Sequence, residues 1–445
     1  MSATTDAGHG IPLHTRILLG LLAGLVIGIA TNLTVGVSNP TVEWVNTYVA
    51  VPVGQIFLRM LFMVVMPLVF ASITLGVAGL GDIRKVGRIG GKTMAYFFTT
   101  TLLAAVLGLF IVNVAKPWER VSPETRTELM AEFSSAAAGR VEQSQTTAKF
   151  GPETFINIVP RNPVDSAART DMLGIIFFGL MFGAALTLIP AARAKPMIDI
   201  LEALSDVVVK IIGFAMQLAP YGVACLIFTV TSRFGFDLLT AVAAYVVTVL
   251  AALLLHLLLT MSGIIRFVLG LSPVTFFWRI KSIMITAFST SSSNATLPTS
   301  LAVAENQLGV PRQVCGFVLP LGATMCMNGT SIFEGITVIF LAQMFGVDLT
   351  IPQMGIVMIM AVVTAIGAAG VPGGSIPLLV GILTMFGVPG EGIAIVLGVD
   401  RILDMSRTVV NVITDVTASV WIGKTEGLWT PESIPEEMRP TGTAV

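Results

Sequence analysis

The run from Asp400 to Asp415 carries the residue types best suited to binding a small charged solute. At about 100° per residue, with Arg407 at zero, Asn411 falls near 40°, Asp404 near 60°, Asp415 near 80° and Thr408 near 100°. These five residues share one helix face, and Met405, Val409, Val412 and Val416 take the other. Arg407 offers a planar fork that fits a carboxylate. Asp404 can take an ammonium group, and Thr408 with Asn411 can complete the hydrogen bonding of a small zwitterion. The plainer alternative is a self-contained Arg407 and Asp404 ion pair at i, i+3 that only stabilises a bundle. Ions in an apolar stretch cost at least about 2.5–3.5 kcal/mol each on insertion scales, so three together call for partners or a solute.

Three further segments bring polar atoms into apolar sequence. Met325-Cys326-Met327-Asn328-Gly329-Thr330 interrupts a helix expected between Gly316 and Phe345, and a glycine with polar neighbours there can free backbone carbonyls for a cation or solute. One turn on, Glu334 is a lone carboxylate, a candidate proton carrier or a hydrogen-bonded helix-end residue. The hydroxyl-rich run from Ser289 to Pro298 and the glycine- and proline-rich run from Gly367 to Pro377 each split an apolar segment into two arms. Two split segments followed by polar-bearing helices match the pattern of a transporter built from inverted repeats, with kinked helices as the simpler reading. Cys225, Cys315 and Cys326 lie in apolar sequence without metal-ligand spacing and read as free thiols; His256 stands alone in a leucine run and reads as an interior partner or a relay.

The elements that must position these residues follow from composition. Hydrophobic types make up 54% of the 445 residues and charged types 11%, less than half the share of about 25% usual in soluble proteins. That excludes most soluble enzymes, disordered chains and disulfide scaffolds, and predicts an all-α polytopic membrane protein. The net charge of −1 offers nothing to a nucleic acid. Plain crossings are expected at Ile17–Leu33, Pro52–Leu80, Thr93–Val114, Met172–Ile189, Leu201–Thr231 and Leu238–Ile265. Arg84, Lys85, Arg88 and Lys92, then Arg193 and Lys195, then Arg266, Arg279 and Lys281 follow even-numbered crossings, which puts both termini in the cytoplasm. Residues 116–170 read as an extracellular loop and 426–445 as a cytoplasmic tail. The run from Ile17 to Ala30 lacks the flanks of a cleaved leader and is expected to be a retained helix.

On the Ser-rich tip Thr290–Pro298, the motif Cys326–Thr330, the tip Gly367–Ser375 and the helix Asp400–Asp415, nearly the whole chain resembles the dicarboxylate/amino acid:cation symporter family. That family includes archaeal aspartate transporters and mammalian excitatory amino acid transporters. The resemblance implies eight transmembrane helices and two re-entrant hairpins, near residues 273–308 and 350–387. It implies a homotrimer in a bilayer, a scaffold of about 12–80 and 171–231, and a transport domain of about 82–115 and 238–425 that moves like an elevator. It implies that Arg407, with Thr330 beside it, holds a distal carboxylate, and that Asp404 takes the α-amino group. Thr408 and Asn411 would contact the α-amino-acid moiety, Ser292 and Ser293 the α-carboxylate, and the second tip, with Val371 and Gly373, would form the gate. A carboxylate at Asp404 separates carriers of acidic amino acids from those of C4-dicarboxylates, so glutamate or aspartate is the expected substrate and a C4-dicarboxylate the alternative.

Departures from the sodium-coupled pattern bear on the coupling ion. Cys326 and Asn328 stand where those relatives carry asparagine and aspartate, and Phe97 stands where a tyrosine is expected. A hard cation prefers oxygen ligands, so a site shared by Cys326, Asn328, Thr100 and Thr101 is expected to be weak or lost. Asp415 with the carbonyls of Gly322, Cys326 and Asn411 could still hold one sodium ion. Glu334 falls where the mammalian relatives have their proton-carrying glutamate. Proton symport is therefore favoured over sodium symport, with no cofactor, in the cell inner membrane. A passive anion channel is the less favoured transport reading, and an intramembrane hydrolase using Ser291–Ser293 lacks a positioned base.

Overall fold

The computed structural model describes residues 13–36, 39–78, 83–122, 127, 159–169, 172–367, 370 and 372–434. Most of the expected loop 116–170, Val371 of the second tip and residues 435–445 of the tail lie outside the described residues. Every regular element among the described residues is helical. Six helical stretches there are long and apolar enough to cross a bilayer: Thr15–Thr34, Pro40–Leu75, Arg88–Arg120, Ala191–Arg233, Leu239–Leu269 and Arg312–Met344. The chain is a multi-pass membrane protein.

The first half supplies α1 (Leu13–Thr34), α2 (Pro40–Val45), α3 (Val51–Phe62), α4 (Val65–Ala78), α5 (Ile83–Ala115), α6 (Pro163–Ala168), α7 (Met172–Leu188) and α8 (Ala191–Leu255). The second expected crossing is broken between α3 and α4 at Met63 and Val64, because Pro67 has no N–H to give the carbonyl of Met63. The fifth and sixth crossings both run through α8 but are two helical spans that meet at Gly235, whose φ of 57° and ψ of −137° break the helix. Along one side of α1, Gly20, Gly24 and Gly28 lie against Pro220, Ala224 and Thr231 of α8, so closely that a Cβ at any of them would strike its neighbour. Spacing by four lets small residues bring two helix backbones together.

Basic residues read as loops turn out to lie in helices. Arg84, Lys85, Arg88 and Lys92 occupy the first turns of α5, and Arg193 and Lys195 open α8. The charge pattern marks where the apolar span ends, whereas the helix continues past it. Arg88 and Lys92 each reach the Glu426 carboxylate at 2.7 Å, tying the start of α5 to the end of the last helix. Hydrogen bonds from Arg88 and Lys92 hold the Glu426 carboxyl below its ordinary range, so it is charged at any neutral or mildly acid pH.

The second half supplies α9 (Pro273–Arg279), α10 (Lys281–Thr290), α11 (Ser293–Asn306), α12 (Arg312–Met325), α13 (Asn328–Met344), α14 (Ile351–Gly367), α15 (Ile376–Met385) and α16 (Ala394–Thr425). α10 and α11 pack on each other as the arms of a first hairpin, and α14 and α15 do so as a second. α16 runs through this half in contact with α5, α8, α10, α11, α12 and α13. α13 is buried almost from end to end. A helix apolar all round belongs inside a bundle, so its few polar groups meet protein.

Candidate functional site between the hairpin tips

Each break in the second half is made by local chemistry. Ser291 ends α10 in the left-handed conformation, at φ 51°. Ser292 then caps α11, its Oγ accepting the Ala295 N–H at 3.1 Å. Between α12 and α13, Cys326 and Met327 leave the helical region. The freed Gly329 N–H donates instead to Asn411 Oδ1 of α16, at 2.7 Å. Gly329 also lies so close to the Arg407 backbone that any side chain there would collide with it. In the second tip Gly373 turns the chain at φ 74°.

The tips meet. Ser292 Oγ donates to the Gly370 carbonyl at 2.6 Å, and the Asn294 N–H reaches the same oxygen at 3.3 Å. Beneath them is a small cavity lined by Ser291, Ser293, Met327, Thr330, Gly370, Ser375, Asp404, Arg407, Thr408 and Asn411. Four segments that are far apart in sequence thus converge on one polar space.

Its floor is an ion-pair chain. Arg407 Nη1 donates to Asp400 Oδ1 at 2.8 Å. Arg407 Nη2 lies 2.8 Å from Asp404 Oδ1, an ion pair in which that nitrogen has no aligned acceptor. The guanidinium also sits over the Phe333 ring, 4.1 Å from its centroid. Asp404 Oδ2 accepts the Gly373 N–H at 3.1 Å, and Arg401 Nη1 stands 3.9 Å from it. Every carboxylate oxygen of Asp404 therefore has a protein partner. Asn411 Nδ2 reaches Thr330 Oγ1 and Met327 Sδ, both at 3.2 Å, and Thr408 Oγ1 donates to the Asp404 carbonyl at 2.7 Å. The hydroxyls of Ser291 and Ser375 are buried without a partner. Arg407 is 2% exposed, so what it pairs with is settled inside the protein.

Of the residues singled out by sequence, Ser293, Thr330, Asp404, Arg407, Thr408 and Asn411 line the cavity. Ser292 does not line it, because its hydroxyl is used in capping α11 and joining the tips; Gly373 contributes its N–H to Asp404. Ser291, Met327, Gly370 and Ser375 line it beyond the residues expected, and Asp400 supports it from beneath. Asp400 stands seven residues before Arg407, two turns away on the same face, so the periodicity that grouped Asp404 and Asn411 contained it too.

Glu334 lies outside the lining, fully buried in α13. Its Oε2 accepts from Thr364 Oγ1 at 2.6 Å, and its Oε1 has no partner. Asp415 Oδ1 is likewise buried and unpartnered, and it faces Gly322, where an added Cβ would stand 2.6 Å away. Asn328 is enclosed: Oδ1 accepts from Thr101 at 2.8 Å, and Nδ2 lies 3.2 Å from His256 Nε2. Its oxygen, the atom a hard cation would use, is thus already engaged. Cys326 and Cys315 are buried free thiols, and Cys225 is partly buried.

A family model described as the sodium:dicarboxylate symporter family matches residues 13–425. The chain is similar to a proton/sodium-glutamate symport protein of Geobacillus stearothermophilus, 34% identical over 95% of this chain and 96% of the relative. It is also similar to a proton/glutamate-aspartate symporter of Escherichia coli strain K12, 35% identical over 91% of this chain and 92% of the relative. A C4-dicarboxylate transport protein of Bacillus subtilis strain 168 is 34% identical over 84% of this chain and 87% of the relative.

Proposed function

Because the chain belongs to the sodium:dicarboxylate symporter family, we propose that it is a secondary active transporter of glutamate and aspartate, coupled to cations and driven chiefly by protons. The observation that carries this reading is the arrangement of Asp400, Arg407 and Asp404 under the two tips. In the structure the guanidinium is shared by two carboxylates. An incoming α-ammonium group pairs with Asp404, and Arg407 Nη2, which has no aligned acceptor, turns to the distal carboxylate of the solute. The unpartnered hydroxyls of Ser291 and Ser375, together with Ser293, supply donors for the α-carboxylate. Thr408 and Asn411 border the amino-acid end, and Thr330 stands beside the distal carboxylate.

Glu334 is the proton carrier in this reading. It is the one carboxylate of α13, it is buried, and half of its acceptor capacity is unused. Sodium coupling is the second cation reading, and it would use Asp415 with the carbonyls of Gly322, Cys326 and Asn411, since Asp415 Oδ1 is the unpartnered oxygen there. The similar C4-dicarboxylate transport protein supports a second substrate reading, which Asp404 argues against because a dicarboxylate brings no ammonium to pair with it.

The protein works in this account as a homotrimer in the cell inner membrane with both termini cytoplasmic. Eight transmembrane helices and two re-entrant hairpins divide into a scaffold around α1 and the first part of α8 and a moving unit around α16. The close glycine-lined contact of α1 with α8 and the packing of α10 to α13 around α16 support that division. Competition for radiolabelled glutamate uptake in proteoliposomes tests the substrate. Unlabelled aspartate and glutamate are expected to compete at least about tenfold better than succinate, since a charge-assisted hydrogen bond is worth about 1.5–3 kcal/mol. Succinate competing best would overturn the assignment of Asp404.

A further inference from the structure

Thr364, on the first arm of hairpin two, has one hydroxyl hydrogen and two close acceptors, the Ala361 carbonyl standing further off at 3.5 Å. Glu334 Oε2 lies at 2.6 Å, and the carbonyl of Met360, one turn back in its own helix, also lies at 2.6 Å. A single hydrogen serves only one of them at a time. When Glu334 is a carboxylate, the hydrogen points to Oε2 in a charge-assisted bond, roughly twice as strong as a neutral one. When Glu334 carries a proton on Oε2, that O–H donates to Thr364 Oγ1 instead, and the threonine hydrogen turns back to Met360. Thr364 neither gains nor loses a proton, but the bond between α13 and α14 reverses direction and weakens.

The position of Thr364 makes this reversal consequential. It lies six residues before Gly370, whose carbonyl takes the Ser292 hydroxyl, and nine before Gly373, whose N–H holds Asp404. The arm that meets Glu334 therefore ends in the tip that covers the cavity. Resting on the reading of Glu334 as proton carrier, we propose that Thr364 is a positioning residue for proton coupling: its hydroxyl registers whether Glu334 is protonated and passes that state along α14 to the tip.

The surroundings of Glu334 offer little competition for this role. From α16 comes Arg407, across the Phe333 ring, with Asp400 and Asp404 paired to it. From α8 comes Tyr245, whose hydroxyl is engaged with Thr337 at 2.7 Å. α5 presents Gly108 and Leu109 to α13, and neither can titrate. The turn Pro117–Arg120 also packs on α13, but its Glu119 and Arg120 are exposed and Glu119 is paired with Lys116. α14 and α15 contain no titratable residue. Among the described residues Glu334 has no hydrogen-bond donor besides Thr364.

The test is the pH dependence of radiolabelled glutamate binding to the full-length purified protein, for the wild type, Thr364→Val, Thr364→Ser and Glu334→Gln. Valine keeps the volume and removes the donor. With the carboxylate form no longer favoured, the half-response is expected to move to higher pH by roughly a tenfold change in proton concentration. Thr364→Ser, which restores the hydroxyl, is expected to respond like the wild type, and Glu334→Gln to bind glutamate without the pH response. Thr364→Ala replaces the valine variant should that protein fail to elute as the wild type does. An unmoved half-response without the hydroxyl, alongside a flat Glu334→Gln profile, would overturn the role of Thr364 and leave the carrier in place. A pH response retained by Glu334→Gln would overturn the carrier and the role of Thr364 with it.

Discussion

Arg407→Ala is expected to lower affinity for glutamate and aspartate by at least about a hundredfold. Removing one partner of a buried ion pair costs about 3–5 kcal/mol, because the charge left behind has no water to turn to. Here the loss falls twice, since the solute's distal carboxylate loses its fork and Asp400 loses its cation, while Asp404 keeps only the Gly373 N–H and Arg401 at 3.9 Å. Arg407→Lys should recover only part of the binding, because an ammonium is a point charge and cannot serve Asp400 and a solute carboxylate in one plane. Equilibrium binding by calorimetry, together with a melting curve for each variant, separates lost affinity from lost folding. Affinity undiminished in a folded Arg407→Ala protein would remove Arg407 from the site.

Asp404→Asn is expected to change what is carried more than how much. The amide keeps the shape and can still accept the Gly373 N–H, but it offers no charge to an ammonium group. Amino-acid substrates should lose about 10- to 100-fold in uptake relative to succinate, which has no ammonium to lose. The ratio of initial uptake rates measured side by side is the appropriate quantity, because it cancels differences in reconstitution. An unchanged ratio would mean that the ammonium group is recognised elsewhere.

Much of this site was legible in the sequence, for a physical reason. Buried charge in a membrane chain is costly, so the positions of Asp404, Arg407 and Asp415 on one face of an otherwise apolar helix were informative before any contact was known. The breaks at Ser291, at Cys326 and Met327, and at Gly373 were equally visible, since serine runs, glycine and proline announce where a helix cannot continue. What periodicity could not supply was pairing across elements. Asp400 belonged to the polar stripe, yet nothing in a helical wheel says that Arg407 reaches back two turns to it. Ser292 and Ser291 are adjacent hydroxyls in one run, and only the left-handed turn at Ser291 decides that the former caps α11 while the latter opens into the cavity. His256 and Asn328 lie 72 residues apart, and Glu334 and Thr364 lie 30 apart. Contacts of that range depend on packing that no local pattern encodes.

The ends of the helices were less legible than their centres. Arg88 and Lys92 read as a loop because charge ends an apolar run, but both sit in α5 and join the Glu426 carboxylate. Helical backbone satisfies its own hydrogen bonds in water as well as in lipid, so the end of a hydrophobic span does not end the helix. In the second crossing the reverse holds: an unbroken apolar run hides the discontinuity at Met63, for which Pro67 was the available signal.

Substrate movement is expected to be tied to a cation gradient through Glu334. Radiolabelled glutamate uptake into proteoliposomes, with an inward proton gradient and an inward sodium gradient imposed separately, tests that claim most directly. The expected result is accumulation above equilibrium with the proton gradient alone, little or none with the sodium gradient alone, and collapse when a protonophore is added. Accumulation driven by sodium alone and indifferent to the protonophore would contradict it and return the coupling role to the oxygens around Asp415.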